Sequence, residues 1–199
     1  MANANTPFGL RPVGTIGAGA YQGKVSVFYA TADTHAIGIG DPVVLTGTGD
    51  AMGVPAITRS VATTDTIVGV VVGAVPDQDN LTKNFKPAST ARYLLVDTDP
   101  NTVFEVQAAY DGTNASTITK FSDIGNNCQL AMGTVDTTTG NSKTLLSTTF
   151  VTAGATTGQV QILRASSRVD NDLTTTAPYS KWLVRLNYNQ YKANVASKD

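Results

Sequence analysis

Charge is scarce in this sequence: Asp, Glu, Lys and Arg make up 15% of its 199 residues, where soluble domains ordinarily carry about a quarter. The two signs nearly cancel, with 14 basic and 15 acidic residues for a net charge of −1, and the basic ones are scattered. That balance gives no electrostatic footprint for nucleic acid. There is one cysteine, Cys128, and one histidine, His35. An intrachain disulfide is therefore excluded, and a Cys/His zinc site has too few ligands. No apolar run approaches the length of a membrane span. The N-terminus has neither the basic region nor the apolar stretch of a secretory signal. The expectation is a chain made in a cytoplasm, with no membrane, nucleic acid, metal or cofactor as partner.

Threonine replaces the missing charge, at 30 residues, together with 18 glycines. Thr is β-branched and suits a pleated surface, while Gly marks turns and bulges. With 41% apolar residues the chain is long enough to bury a sizeable core. The expected fold is all-β, a barrel or sandwich of short antiparallel strands with an extended N-terminal arm.

The arm is residues 1–20, MANANTPFGLRPVGTIGAGA. Pro7, Gly9, Pro12, Gly14, Gly17 and Gly19 stop any helix from running through it. Between these breakers stand Phe8, Leu10, Val13 and Ile16, with Arg11 the lone charge. A segment with apolar anchors and no fold of its own needs a surface to lie on. Residues 21–199 then form the β-rich domain, with a polar loop insertion near 76–90.

Within that domain KVSVFYA (24–30), PVVLTG (42–47), AITRSVA (56–62), QVQILRAS (159–166) and KWLVRLNYNQY (181–191) read as strands, being rich in β-branched and aromatic residues between turn signals. TIVGVVVGAV (66–75) is nearly continuous in Val and Ile, which predicts cover on both faces, and Gly69 and Gly73 predict bends or bulges. ARYLLVDT (91–98) and TVFEVQAAY (102–110) flank Asp99-Pro100-Asn101, so a hairpin is the simplest reading. In the second, Phe104, Val106 and Ala108 share one face with Glu105 and Gln107 opposite, the alternation of a half-buried strand. Residues 111–133 are ambiguous, with Ile118, Phe121 and Ile124 spaced for a short helix. A turn is expected at Thr139–Ser142.

The search for chemistry yields little. Asp97, Asp99 and Asn101 begin a calcium-loop pattern, but Thr102 stands where Gly is needed and Ala108 where the acidic twelfth ligand belongs, so a polar turn is the better reading. The glycine runs at 17–23 and 46–53 lack phosphate-loop spacing and open no helix. His35 sits in a polar loop near Asp33 and Asp41 without a nucleophile elbow. Cys128 reads as an idle thiol. Carboxylate pairs for glycosidase work stay open, because such partners are distant in sequence. No catalytic, cofactor-binding or metal residue is assigned.

The opening ANANTPFGLRPVG, and AIGIGDPVVLTG followed by ITRSVATTDTIVGVVVGAV, resemble the decoration or cement proteins of tailed-bacteriophage heads over roughly residues 1–75. The resemblance implies a non-enzymatic virion protein on the outer capsid surface, partnered by the major capsid protein. It binds where capsid subunits meet and stabilises the lattice. The arm would then supply the contacts, through Phe8, Leu10, Arg11 and Val13, and deleting residues 1–15 would leave the barrel folded but remove binding. Self-association into a dimer or trimer is left open. Two other readings are a carbohydrate-binding or adhesin-like module, with Trp182, Tyr188 and Tyr191 as stacking platforms, and a major capsid protein.

Overall fold

The six strands β2 to β7 follow the sequence pattern closely: β2 is Val25–Ala30, β3 Pro42–Gly49, β4 Pro55–Arg59, β5 Gly69–Ala74, β6 Arg92–Asp97 and β7 Thr102–Gln107. Before them lies β1, Arg11–Thr15, and after them β8, Asn127–Ala131, β9, Leu145–Phe150, β10, Val160–Ala165, and β11, Lys181–Leu186. The computed structural model describes residues 3–17, 20–21, 23–78, 80–109, 121–150, 156–173 and 178–194. Among these, the one helical element is a 3-10 turn at Phe121–Asp123. The protein is all-β, and both expected architectures are present. Strands β2-β4-β3-β5-β6 close into a barrel, and β1-β7-β11-β10-β8-β9 form a six-stranded sheet. Pairing is antiparallel throughout the ladders except for β2 with β4.

Each half has its own core. Phe28, Ile37, Val43, Ile57, Val68, Val71, Leu94 and Val96 fill the barrel, and Phe104, Val106, Cys128, Ile162, Trp182 and Val184 form the core of the sheet. Strand β5 serves both. Val71 points into the barrel while Val70, one residue earlier, joins the other core, which is why the strand reads as an unbroken apolar run. Gly69 is needed here because a Cβ would stand 2.2 Å from the carbonyl oxygen of Asp97. Gly73 follows a bulge in the β5–β6 ladder.

Polar ties join the halves. Buried Asp41, ahead of β3, accepts hydrogen bonds from the Ser142 hydroxyl at 2.5 Å, the Thr144 hydroxyl at 3.1 Å and the Gly38 amide at 2.8 Å, and pairs with Arg59 at 3.2 Å. Among its described residues the 76–90 loop carries no strand, but it is pinned. Ile37 and Lys86 exchange backbone hydrogen bonds at 2.9 Å, and Arg92 donates to the carbonyls of Lys83 and Phe85.

Three expectations need correction. Strands β6 and β7 do not form a hairpin: β6 pairs with β2 and β5 in the barrel, β7 with β1 and β11 in the sheet. The link between them is a corner set by Asp97, whose buried carboxylate accepts from the Thr102 hydroxyl at 3.1 Å and the Asp99 amide at 3.0 Å. The polar turn residues expected at 99–101 are right; the pairing they serve is not. Second, β7 is not half-buried, since Glu105 and Gln107 are as covered as Phe104 and Val106. Third, the segment covering them is the N-terminal one, which has a place in this fold. Of the ambiguous 111–133 stretch, Ile118 lies outside the described residues, and 127–131 is strand β8.

Candidate functional site

Residues 3–15 run extended across the sheet and end as its edge strand. Arg11, Pro12, Gly14 and Thr15 pair antiparallel with Glu105, Phe104, Val103 and Thr102, with a bulge at Val13. Ahead of the strand, polar contacts hold the chain down. Asn3 donates to the carbonyls of Asp172 and Pro178 at 2.9 and 2.8 Å, and its own oxygen accepts the Asp172 amide at 2.7 Å. Gln107 accepts the Thr6 amide and donates to Asn5. Gly9 has a positive φ of 72° and packs so closely that a Cβ would meet the Gly40 oxygen at 2.8 Å. The prolines and glycines that forbid a helix here permit this close, extended path.

The four residues assigned to capsid contact from sequence separate into two groups. Leu10 is 1% exposed and belongs to the sheet's core, so it has no surface to offer a partner. Val13 is 45% exposed. Phe8 is half-buried, and the Arg11 guanidinium lies 5.1 Å from its ring centroid, within cation–π range.

Arg11 also starts a chain of charges. It pairs with Glu105, whose carboxylate is buried and accepts in addition from the Ser166 hydroxyl at 2.5 Å and lies 3.5 Å from Arg168. Arg168 holds Asp170 in a two-pronged contact, Nε to Oδ1 at 2.7 Å and Nη2 to Oδ2 at 3.0 Å, the geometry in which guanidinium and carboxylate fit best. Lys181 reaches the same Asp170 carboxylate at 3.1 Å. Hydrogen bonds from Arg168 and then Lys181 hold the Asp170 carboxyl far below the ordinary carboxylate range, so it stays ionised. Across from them, Asp136 caps the turn at Thr138 and Thr139 and lies 3.8 Å from Lys143. These residues and the N-terminal segment enclose a groove of about 580 Å³. A second, smaller cavity of about 310 Å³ adjoins it, between Leu10 and Pro12 on one side and Ile39 and Val72 on the other.

The sequence pointed to Phe8 and Arg11 but missed Glu105, Arg168 and Lys181. Asp170 stands two residues after its partner Arg168. That R-x-D spacing was the available signal. The other candidates stand apart. The Asp97 carboxylate is taken up by Thr102, the Asp99 amide and the Tyr21 hydroxyl, and among the described residues no three His, Cys, Asp or Glu side chains gather to hold a metal. His35 is exposed, its amide bonded to Asp33. Cys128 is buried, and burial pushes its thiol up, away from the reactive thiolate. Trp182 is 1% exposed and donates to Ser180, so it is a core residue and no sugar platform.

Set against known proteins, the chain matches no family model, and no curated protein matches it.

Proposed function

We propose that this chain is a structural virion protein that binds the outer surface of an assembled tailed-phage capsid and stabilises its lattice, with the major capsid protein as partner. One observation carries the reading beyond the sequence resemblance over residues 1–75: the N-terminal face. There Phe8, Arg11 and Val13 are presented on a fixed, extended segment beside a groove large enough for a strand of partner chain. A preordered segment loses little entropy on docking, where a free arm would lose roughly 1–2 kcal/mol per residue in backbone freedom. The contact set becomes Phe8, Arg11 and Val13, with Leu10 holding the segment in place from within.

The test is co-sedimentation of the purified protein with mature and with immature heads that lack it. Saturable binding to the mature lattice is the expected result. Absence of binding to either form would remove the reading. The carbohydrate-binding alternative has lost Trp182 to the core, and only Tyr191, 55% exposed, remains as a freely presented aromatic among its candidates.

A further inference from the structure

We infer that the groove along the N-terminal segment receives an extended stretch of capsid subunit carrying a carboxylate beside an apolar side chain, an inference that rests on the head-binding reading above. The two cavities share Phe8, Arg11 and Asn141 in their walls, so they lie side by side with the Phe8–Arg11 stack between them, the two halves of a trough. On one side the walls are apolar, from Leu10, Pro12, Ile39 and Val72. On the other, Arg11, Lys143, Arg168 and Lys181 face Asp136 and Asp170, four cations against two carboxylates.

Glu105, buried beneath, offsets one of those cations. The trough is still locally positive in a chain whose net charge is −1. Its exposed charges are unevenly placed. Arg11, Lys143 and Arg168 keep 50, 46 and 39% of their side-chain surface open, while Asp170 is already gripped by Arg168 and Lys181. Arg168 is in turn taken up by Asp170 and Glu105, so an incoming carboxylate meets the loosely paired Lys143 ammonium and the open edge of Arg11, whereas an incoming lysine meets an Asp170 that is already satisfied. Arg forks match a carboxylate in two-point geometry. An extended strand sends alternate side chains to one face, so an apolar and an acidic residue two positions apart would reach the two halves of the trough together.

The experiment compares the full chain with Lys143→Glu and Val72→Asp in co-sedimentation with heads that lack the protein, at low and at raised salt. Lys143 is exposed and only loosely paired, so its reversal tests charge without disturbing the core, and an unchanged melting temperature verifies this. The expected result is an affinity for heads that falls with salt, and a loss of about tenfold for each variant. Should Val72→Asp fail to fold, Lys143→Glu alone decides. Wild-type binding that ignores salt, with Lys143→Glu equal to it, would overturn the trough while leaving head binding intact at another surface. Tighter binding by Lys143→Glu would mean a basic occupant and overturn it too. No wild-type binding at all would remove both readings together.

Discussion

Gln107 accepts the Thr6 amide at 3.1 Å across 101 positions of sequence. With the β1–β7 ladder and the Asn3 clamp, that contact binds an apparent tail to the sheet, and the same side chain returns a hydrogen bond to Asn5 at 2.9 Å. Gln107→Leu should loosen the chain around Asn5 and Thr6 while leaving β7 in place. Because Asn5 and Thr6 are exposed and regain water, the cost is about 1 kcal/mol. The sharper readout is faster amide exchange at Thr6 and faster proteolysis in that segment. Unchanged protection there would show that Gln107 does not hold it.

Leu10 anchors the same segment through the core. Leu10→Ala should cost about 2–5 kcal/mol, measurable by denaturant unfolding. Deleting residues 1–15 removes this side chain and strand β1 together, so it should destabilise the sheet and not merely trim a tail. A truncated protein as stable as the full chain would contradict the packing described here.

Two glycines in β5 should behave differently. A Cβ at Gly69 stands 2.2 Å from a backbone oxygen of β6, whereas at Gly73 the nearest atom is the flexible tip of Leu95 at 3.4 Å. Gly69→Ala must push two paired strands apart and should lose about 3 kcal/mol, and Gly73→Ala under 1 kcal/mol. Equal effects would mean that the barrel seam yields more easily than its ladder implies.

Lys86 is fully buried and its ammonium lies 2.6 Å from Asp33 Oδ1, with the His35 carbonyl at 2.7 Å. Burial alone would raise the Asp33 carboxyl, but hydrogen bonds from Lys86, Thr58 and the His35 amide outweigh it and hold it below the ordinary range. A carboxyl depressed in the folded state contributes stability that is complete above its unfolded value, near 3.9. That contribution drains away as pH falls through the lower folded value. Asp33→Asn should therefore cost about 3 kcal/mol near neutral pH by stranding a buried cation, and the gap to wild type should close in acid. A pH-independent gap would assign the effect to shape and not to charge.

What was legible in the sequence was local. β-branched runs between Gly and Asp turns marked β2 to β7, β10 and β11, because strand propensity and turn chemistry act over a few residues. Cover on both faces of β5 was legible from its unbroken Val and Ile. Pairing was not. Asp99-Pro100-Asn101 carries the chemistry of a tight turn, yet nothing local says that Asp97 will be buried and turn the chain from barrel to sheet. Glu105 and Gln107 read as solvent-facing because their cover comes from residues about a hundred positions earlier. The groove failed to appear for the same reason: Arg11, Glu105 and Lys181 meet only in three dimensions.

The clamp at Asn3 has a bearing on timing. Its partners are Asp172 and Pro178, 169 and 175 positions away, so during synthesis this clamp cannot close until nearly all of the described chain has emerged, even though β7 is there for β1 to pair with much earlier. Contacts of such long range form late and slowly. The face presented to a partner is thus completed late, and a half-made chain cannot display it whole.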